Sequence, residues 1–95
     1  MRKITKQAVS AFIDGVNFTS GNTKVKSFSG YNEYYLHDNL IATKYGDAIK
    51  VSLAGWNTTT TRERLNGIPG VNINTRNGII YLNGNIIDDN TFHVI

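Results

Sequence analysis

The chain has 95 residues, no cysteine, and ten Lys+Arg against seven Asp+Glu, for a net charge of +3. That length suits one domain with a real core but not a deep cleft and a second domain as well, and 40% hydrophobic with 11% aromatic residues excludes a disordered chain. Without cysteine there is no disulfide framework, thiolate chemistry or Cys-based zinc site; no apolar run of membrane-spanning or signal-peptide length follows the basic opening, so a soluble cytoplasmic protein is expected.

In chain order, residues 4–14 read as an amphipathic helix. Ile4, Ala8, Ala11 and Phe12 share one stripe, with Val9 and Ile13 at its edge; Thr5 is a candidate cap and Gly15 a stop. Arg2, Lys3, Lys6 and Gln7 fall at or off the polar side, a solvated helix face. Residues 16–22 read as loop. Residues 23–28 alternate, with Val25 on one face and Lys24, Lys26 and Phe28 on the other. Ser29-Gly30-Tyr31-Asn32 reads as a turn, residues 33–37 as a strand, Asp38-Asn39 as a two-residue connection and residues 40–45 as the return. Gly46-Asp47 turns the chain into residues 48–53, where Ile49, Val51 and Leu53 alternate with Lys50 and Ser52.

The stretch 54–71 interrupts the strands and holds the only Trp and the only Pro. Thr60 is placed to cap a short helix, with Glu63 completing a capping box. Gly67 is placed to stop it in a left-handed conformation, and Pro69 prevents its resumption. About two turns of helix are unstable alone in water, so Leu65 and Ile68 must pin it to the core, with Trp56 as a packing partner. Arg62 and Arg64 lie two apart and project to different sides. The four threonines read either as a β-prone lead-in and cap or as hydroxyls at a helix N-terminus that hold a phosphate, although with less glycine than phosphate loops carry. Residues 71–76 alternate again. Asn77-Gly78 and Asn83-Gly84 signal successive hairpins through residues 79–82 and 85–87, and residues 91–95 add Phe92 and Val94 to an edge. The expected fold is α+β: one domain over residues 1–95, a mostly antiparallel meander covered by the N-terminal helix and the short central one. The open face would carry some of Lys24, Lys26, Lys50, Asn72, Asn74 and Arg76.

Several segments resemble a family of small bacteriophage proteins, and the likeness covers most of the chain. It rests on the opening Arg2-Lys3-Ile4-Thr5-Lys6-Gln7, on Leu36-His37-Asp38-Asn39-Leu40-Ile41-Ala42, and most specifically on Ala54-Gly55-Trp56, Thr60-Thr61-Arg62-Glu63-Arg64-Leu65-Asn66 and Pro69-Gly70-Val71. Tyr81-Leu82-Asn83-Gly84 closes it. Asp38 and the surroundings of Asn77 depart from the family pattern, which affects turns. The nearest functional association is with phage counter-defence proteins of the TifA type, which bind RNA and neutralise a host ribonuclease toxin. That resemblance implies an RNA-binding inhibitor and not an enzyme.

RNA binding needs cations for phosphate, planar groups for stacking and amides for base edges. Arg62 and Arg64 are the first candidates, with Arg76, Lys50, Lys24 and Lys26 behind them. Tyr31, Tyr34, Tyr35 and Tyr45 read as stacking groups, although tyrosines in a small meander are more often core and cross-strand partners. No aromatic RNA-recognition signature or Gly-x-x-Gly clamp is present. A second reading is a protein-binding module that acts on a host defence or toxin protein, or a homodimer formed through the exposed edge at residues 85–87. Catalysis would have to use His37 and His93 with a lysine in ribonuclease-type acid–base chemistry, but nothing in the sequence brings them together, and two scattered histidines without cysteine make a poor metal site; neither metal nor cofactor is expected.

Overall fold

The computed structural model describes all 95 residues. The element order is α1 (Lys3–Asp14), β1 (Phe18–Ser20), β2 (Thr23–Phe28), β3 (Tyr31–Leu36), β4 (Asn39–Tyr45), β5 (Ala48–Val51), α2 (Thr59–Asn66), β6 (Ile73–Arg76), β7 (Ile79–Leu82), β8 (Asn85–Ile87) and β9 (His93–Val94). The fold is α+β and antiparallel, but its strands form two sheets where one meander was expected. One has six strands in the order β1-β2-β3-β4-β5-β9; the other has three, β6-β7-β8. The division falls where α2 and the Pro69 turn carry the chain away from β5.

Helix α1 buries Thr5, Ala8, Val9, Ala11 and Phe12 and stops at Gly15, whose φ of 73° is the left-handed stop that glycine tolerates. It lies across one face of the large sheet, against β1, β2 and β3. The Phe12 and Tyr34 rings meet there at 5.5 Å between centroids, and the buried Asn32 amide donates to the Phe12 carbonyl at 2.9 Å. Thr5 does not cap this helix: it lies on the buried face, and the N-cap position is Arg2, with no side-chain bond.

Two further expectations shift at strand ends. Residues 18–20, read as loop, pair with β2, and β3 already begins at Tyr31, leaving only Ser29 and Gly30 in the turn. The next turn is His37-Asp38, with φ of 51° and 60°, one residue earlier than expected. A register shift opposite Tyr34 and Tyr35 gives β4 one extra residue, so Ile41 and Ala42 are both buried. Asn77-Gly78 and Asn83-Gly84 form the two hairpins as expected, all four residues having positive φ.

Helix α2 departs from its sequence punctuation. Thr58, not Thr60, is the cap: its hydroxyl accepts from the Thr61 N–H at 3.1 Å. The capping box is absent because Glu63 is recruited elsewhere. Gly67 is right-handed, with φ −71° and ψ −21°, so no left-handed stop is made there. Its hydrogen is required for a different reason: a Cβ would sit 2.6 Å from Thr5 Cγ2 and 3.0 Å from Val9 Cγ2, where α1 and α2 approach closely. The left-handed glycine is Gly70, φ 85°, which follows Pro69 in a turn closed by Val71 N–H donating to the Ile68 carbonyl at 3.0 Å. The Asn66 amide then ties the helix to β6, donating to the Ile73 carbonyl at 2.9 Å and accepting from its N–H at 2.6 Å.

One core cluster of seventeen buried apolar residues draws on both helices and both sheets, including Leu65, Ile68, Ile73 and Leu82. Trp56 is not part of it; the indole is 58% exposed.

Candidate nucleic-acid interface

Strand alternation and register determine what the large sheet presents on the side away from α1. Because opposed residues of antiparallel strands share a face, the pairings line up three rows. Thr19, Lys24, Tyr35 and Leu40 form the first. Lys26, Glu33, Thr43, Lys50 and Val94 form the second. Phe28, Tyr31, Tyr45 and Ala48 form the third. Three lysines and four aromatic rings therefore occupy one open surface.

The aromatic row is exposed where it matters for stacking. Tyr45 is 73% and Phe28 54% accessible. Phe28 stacks on Tyr31 at 6.0 Å between centroids, and Tyr31 meets Tyr45 at 6.4 Å with the rings tilted. Lys26 Nζ lies 5.2 Å from the Tyr35 centroid, a cation–π arrangement that spreads its alkyl stem over the ring. Glu33 is the only carboxylate that the strands of this face carry, and its two oxygens accept from the hydroxyls of Tyr31 at 3.1 Å and Tyr35 at 2.8 Å. Burial and, after it, this carboxylate push the Tyr35 phenol up to about 12 and raise Tyr31 as well. Both rings thus stay neutral and pinned near physiological pH. Lys24 is paired with Asp38 at 3.5 Å, an exposed ion pair of small net value.

The six basic candidates separate. Lys24, Lys26 and Lys50 share the face just described. Arg76 is on the outer face of the small sheet, its guanidinium 5.7 Å from the Tyr81 centroid. Arg62 is half-buried on α2, the other side of the large sheet, donating to Asn57 and, at 3.4 Å, to Thr59. Arg64 is 1% exposed and has no surface to offer a partner. Its Nε donates to the Thr23 hydroxyl at 3.1 Å and its Nη1 to the Thr5 hydroxyl at 3.0 Å and to Glu63 Oε1. Thr5 in turn donates to Glu63, and the Arg2 N–H reaches the other carboxylate oxygen at 3.4 Å. Burial alone would raise the Glu63 carboxyl, but the bonds from Thr5, Arg2 and Arg64 outweigh it and hold the group below its usual range. Tyr34, one of the four candidate stacking tyrosines, is also interior and donates to the Arg64 carbonyl at 3.3 Å. Burial drives its phenol far above the usual tyrosine range. Arg64 thus joins α1, α2 and β2, and an arginine taken for a contact residue is an internal tie.

Phe28 and Glu33 are the site residues that sequence reasoning undervalued. The signal was available: Phe28 alternates with Lys24 and Lys26, and the correct hairpin length places Tyr31, Glu33 and Tyr35 opposite them. Reading a four-residue turn through Tyr31 and Asn32 concealed it. The two histidines lie in different places, His37 in the β3–β4 turn and His93 on β9, where its Nε2 is 3.4 Å from Asp88 Oδ1. No helix is long and apolar enough to cross a membrane.

A family model described as Kyanoviridae Gp96 protein matches residues 1–94, and the chain belongs to that bacteriophage protein family. No curated protein and no solved structure matches it.

Proposed function

We propose that this member of the Kyanoviridae Gp96 family binds single-stranded RNA on the open face of its large sheet and acts in the host cytoplasm as a counter-defence factor, sequestering RNA from, or delivering it against, a host ribonuclease toxin of the kind that TifA-type proteins neutralise. The observation that carries the reading is the convergence of Lys24, Lys26 and Lys50 with Phe28, Tyr31, Tyr35 and Tyr45 on one surface. Cations alone would fit any polyanion. Cations interleaved with open rings fit a strand whose bases are unstacked and free to lie on aromatic faces, which duplexes do not offer. The role is binding, without a catalytic step.

A second reading is supported by a different feature. Between the edges of the two sheets, Ile86, Ile87, Phe92, Val94 and Ile95 line a groove of mixed character with Asn83, Asn85 and His93, beside β8, an edge strand paired only with β7. That surface favours a protein partner, either a host enzyme or a second copy of the chain.

The test is co-purification. Protein prepared without nuclease treatment should carry RNA that ribonuclease and high salt remove, seen in its ultraviolet absorbance ratio. The K24Q/K26Q/K50Q variant should purify clean while keeping its fold, and R62A should not. Wild-type protein that is clean at low salt defeats the RNA reading and leaves the groove beside β8 as the working surface.

A further inference from the structure

A cleft of about 480 Å³ opens between the β3–β4 turn and the first turn of α2. Leu36, Ile41 and Leu53 give it an apolar floor, Trp56 an aromatic wall, and His37, Asn39 and Thr58, Thr60 and Thr61 a polar rim. The volume falls in the range of small-molecule sites, with the usual apolar lining and few polar groups.

Trp56 is the unusual part. Leaving an indole this open forgoes stabilisation of about 2–3 kcal/mol that burial would give. The backbone that carries it is strained and tethered at once. Ala54 has φ 54° and Gly55 φ 80°, and an alanine in the left-handed region costs about 1–2 kcal/mol. The Gly55 N–H donates to the Asp89 carbonyl at 2.6 Å, the Trp56 N–H to Leu53 at 2.8 Å, and the Thr58 N–H to Trp56 at 2.9 Å. Strain maintained at an exposed aromatic beside a cavity points to a ligand surface.

The lining chooses among ligands. No lysine or arginine lines the cleft, which disfavours a phosphate on the threonine-rich helix start. The Thr58 and Thr61 hydroxyls bond each other at 2.9 Å and His37 lies 3.4 Å from the Asn22 amide, so the rim groups that an acyl chain would leave unanswered are Asn39 and Thr60. A planar heterocycle satisfies both parts, with its face on the indole and its edge on the rim. The Asn39 amide offers a donor and an acceptor side by side, as base edges do. We propose that this cleft binds a purine or pyrimidine base stacked on Trp56. The site is distinct from the lysine–tyrosine face and does not rest on it. Its base comes from a free nucleotide or from an unstacked residue of RNA, two sources of the same heterocycle.

Trp56 is the only tryptophan, so its fluorescence reports this cleft alone. Adenosine and uridine should quench it saturably and ribose 5-phosphate should not. T60F, which blocks the cleft from its rim, should abolish the quenching with an unchanged unfolding midpoint. W56A, followed by calorimetric titration, should bind the nucleoside about tenfold more weakly or worse. Quenching by nucleosides should persist in K24Q/K26Q/K50Q, which separates this site from the sheet face. Tighter binding of oligoadenylate than of AMP assigns the base to RNA, and equal binding assigns it to the free nucleotide. Failure of every nucleoside and oligonucleotide to quench saturably, or undiminished nucleoside affinity in W56A, overturns the proposal.

Discussion

Replacing Arg64 with alanine tests whether this arginine supports the fold or contacts a partner. The residue is 1% exposed, and its guanidinium makes three side-chain bonds, to Thr23, Thr5 and Glu63. Removing one partner of a buried pair costs about 3–5 kcal/mol, mainly because the other charge is left without compensation. The Glu63 side chain keeps 24% of its exposure, so water compensates part of its loss and the lower end, about 3 kcal/mol, applies. Against a total stability of roughly 5–15 kcal/mol that is a large share. With a urea m-value of about 1–1.5 kcal/mol/M for a chain this size, the midpoint should fall by about 2–3 M. R62A, which loses only part-exposed bonds to Asn57 and Thr59, should move it little. Acid sensitivity gives an independent sign. Glu63 is held below its usual value, so its contribution is present above the unfolded pKa of about 4.3 and is lost as pH falls through the lower folded value. R64A should therefore lose stability less steeply than the parent protein below about pH 4. An R64A protein that unfolds within about 0.5 M of the parent, yet no longer binds RNA, would refute the internal-tie account and return Arg64 to the surface.

Three further substitutions probe other elements. G67A forces a Cβ to within 2.6 Å of Thr5 Cγ2, so overpacking should cost about 1–3 kcal/mol in urea unfolding despite the better helix propensity of alanine; a neutral or stabilised variant would show that α1 and α2 separate readily. Y45A removes the most open ring of the aromatic row and should weaken single-stranded RNA binding by about 1–3 kcal/mol in a filter or anisotropy titration with the melting temperature preserved; an unchanged affinity would remove that row from the interface. E33Q withdraws the carboxylate that helps raise Tyr35, so the Tyr35 phenol should titrate below about 12 in an alkaline spectrophotometric or NMR series, and RNA affinity should rise roughly fivefold, about 1 kcal/mol, as one repulsive charge leaves the face.

The sequence was most legible where local chemistry decides the structure. Asn77-Gly78 and Asn83-Gly84 mark their hairpins because positive φ is needed at each position and these residues supply it. The apolar spacing of α1 and the alternation of Lys24 and Lys26 with Phe28 also transfer directly to the fold. Legibility ended where distant partners compete. Glu63 has the spacing for a capping box with Thr60, but Thr5, 58 positions away, and Arg64 bind its carboxylate instead. Arg64 read as a surface charge because the hydroxyls that satisfy it belong to Thr5 and Thr23, on other elements. Gly67 read as a left-handed stop, while its actual constraint is the closeness of α1, which no local pattern announces. Trp56 read as core from its bulk, but the strained Ala54-Gly55 turn directs it outward. For the candidate site, the three lysines were legible from alternation and their union with the tyrosines depended on register, which shifts with one residue of turn length.

The most direct test of the sheet-face account is the salt dependence of single-stranded RNA binding by the parent protein and by K24Q/K26Q/K50Q. Each phosphate contact on a single strand contributes about 0.7 to the slope of log K against log salt. Loss of three contacts should flatten the slope by about 2 and weaken binding most at low salt. A folded triple variant with the parent's slope and affinity would contradict the account and place the nucleic-acid contacts, if the chain makes any, away from this face.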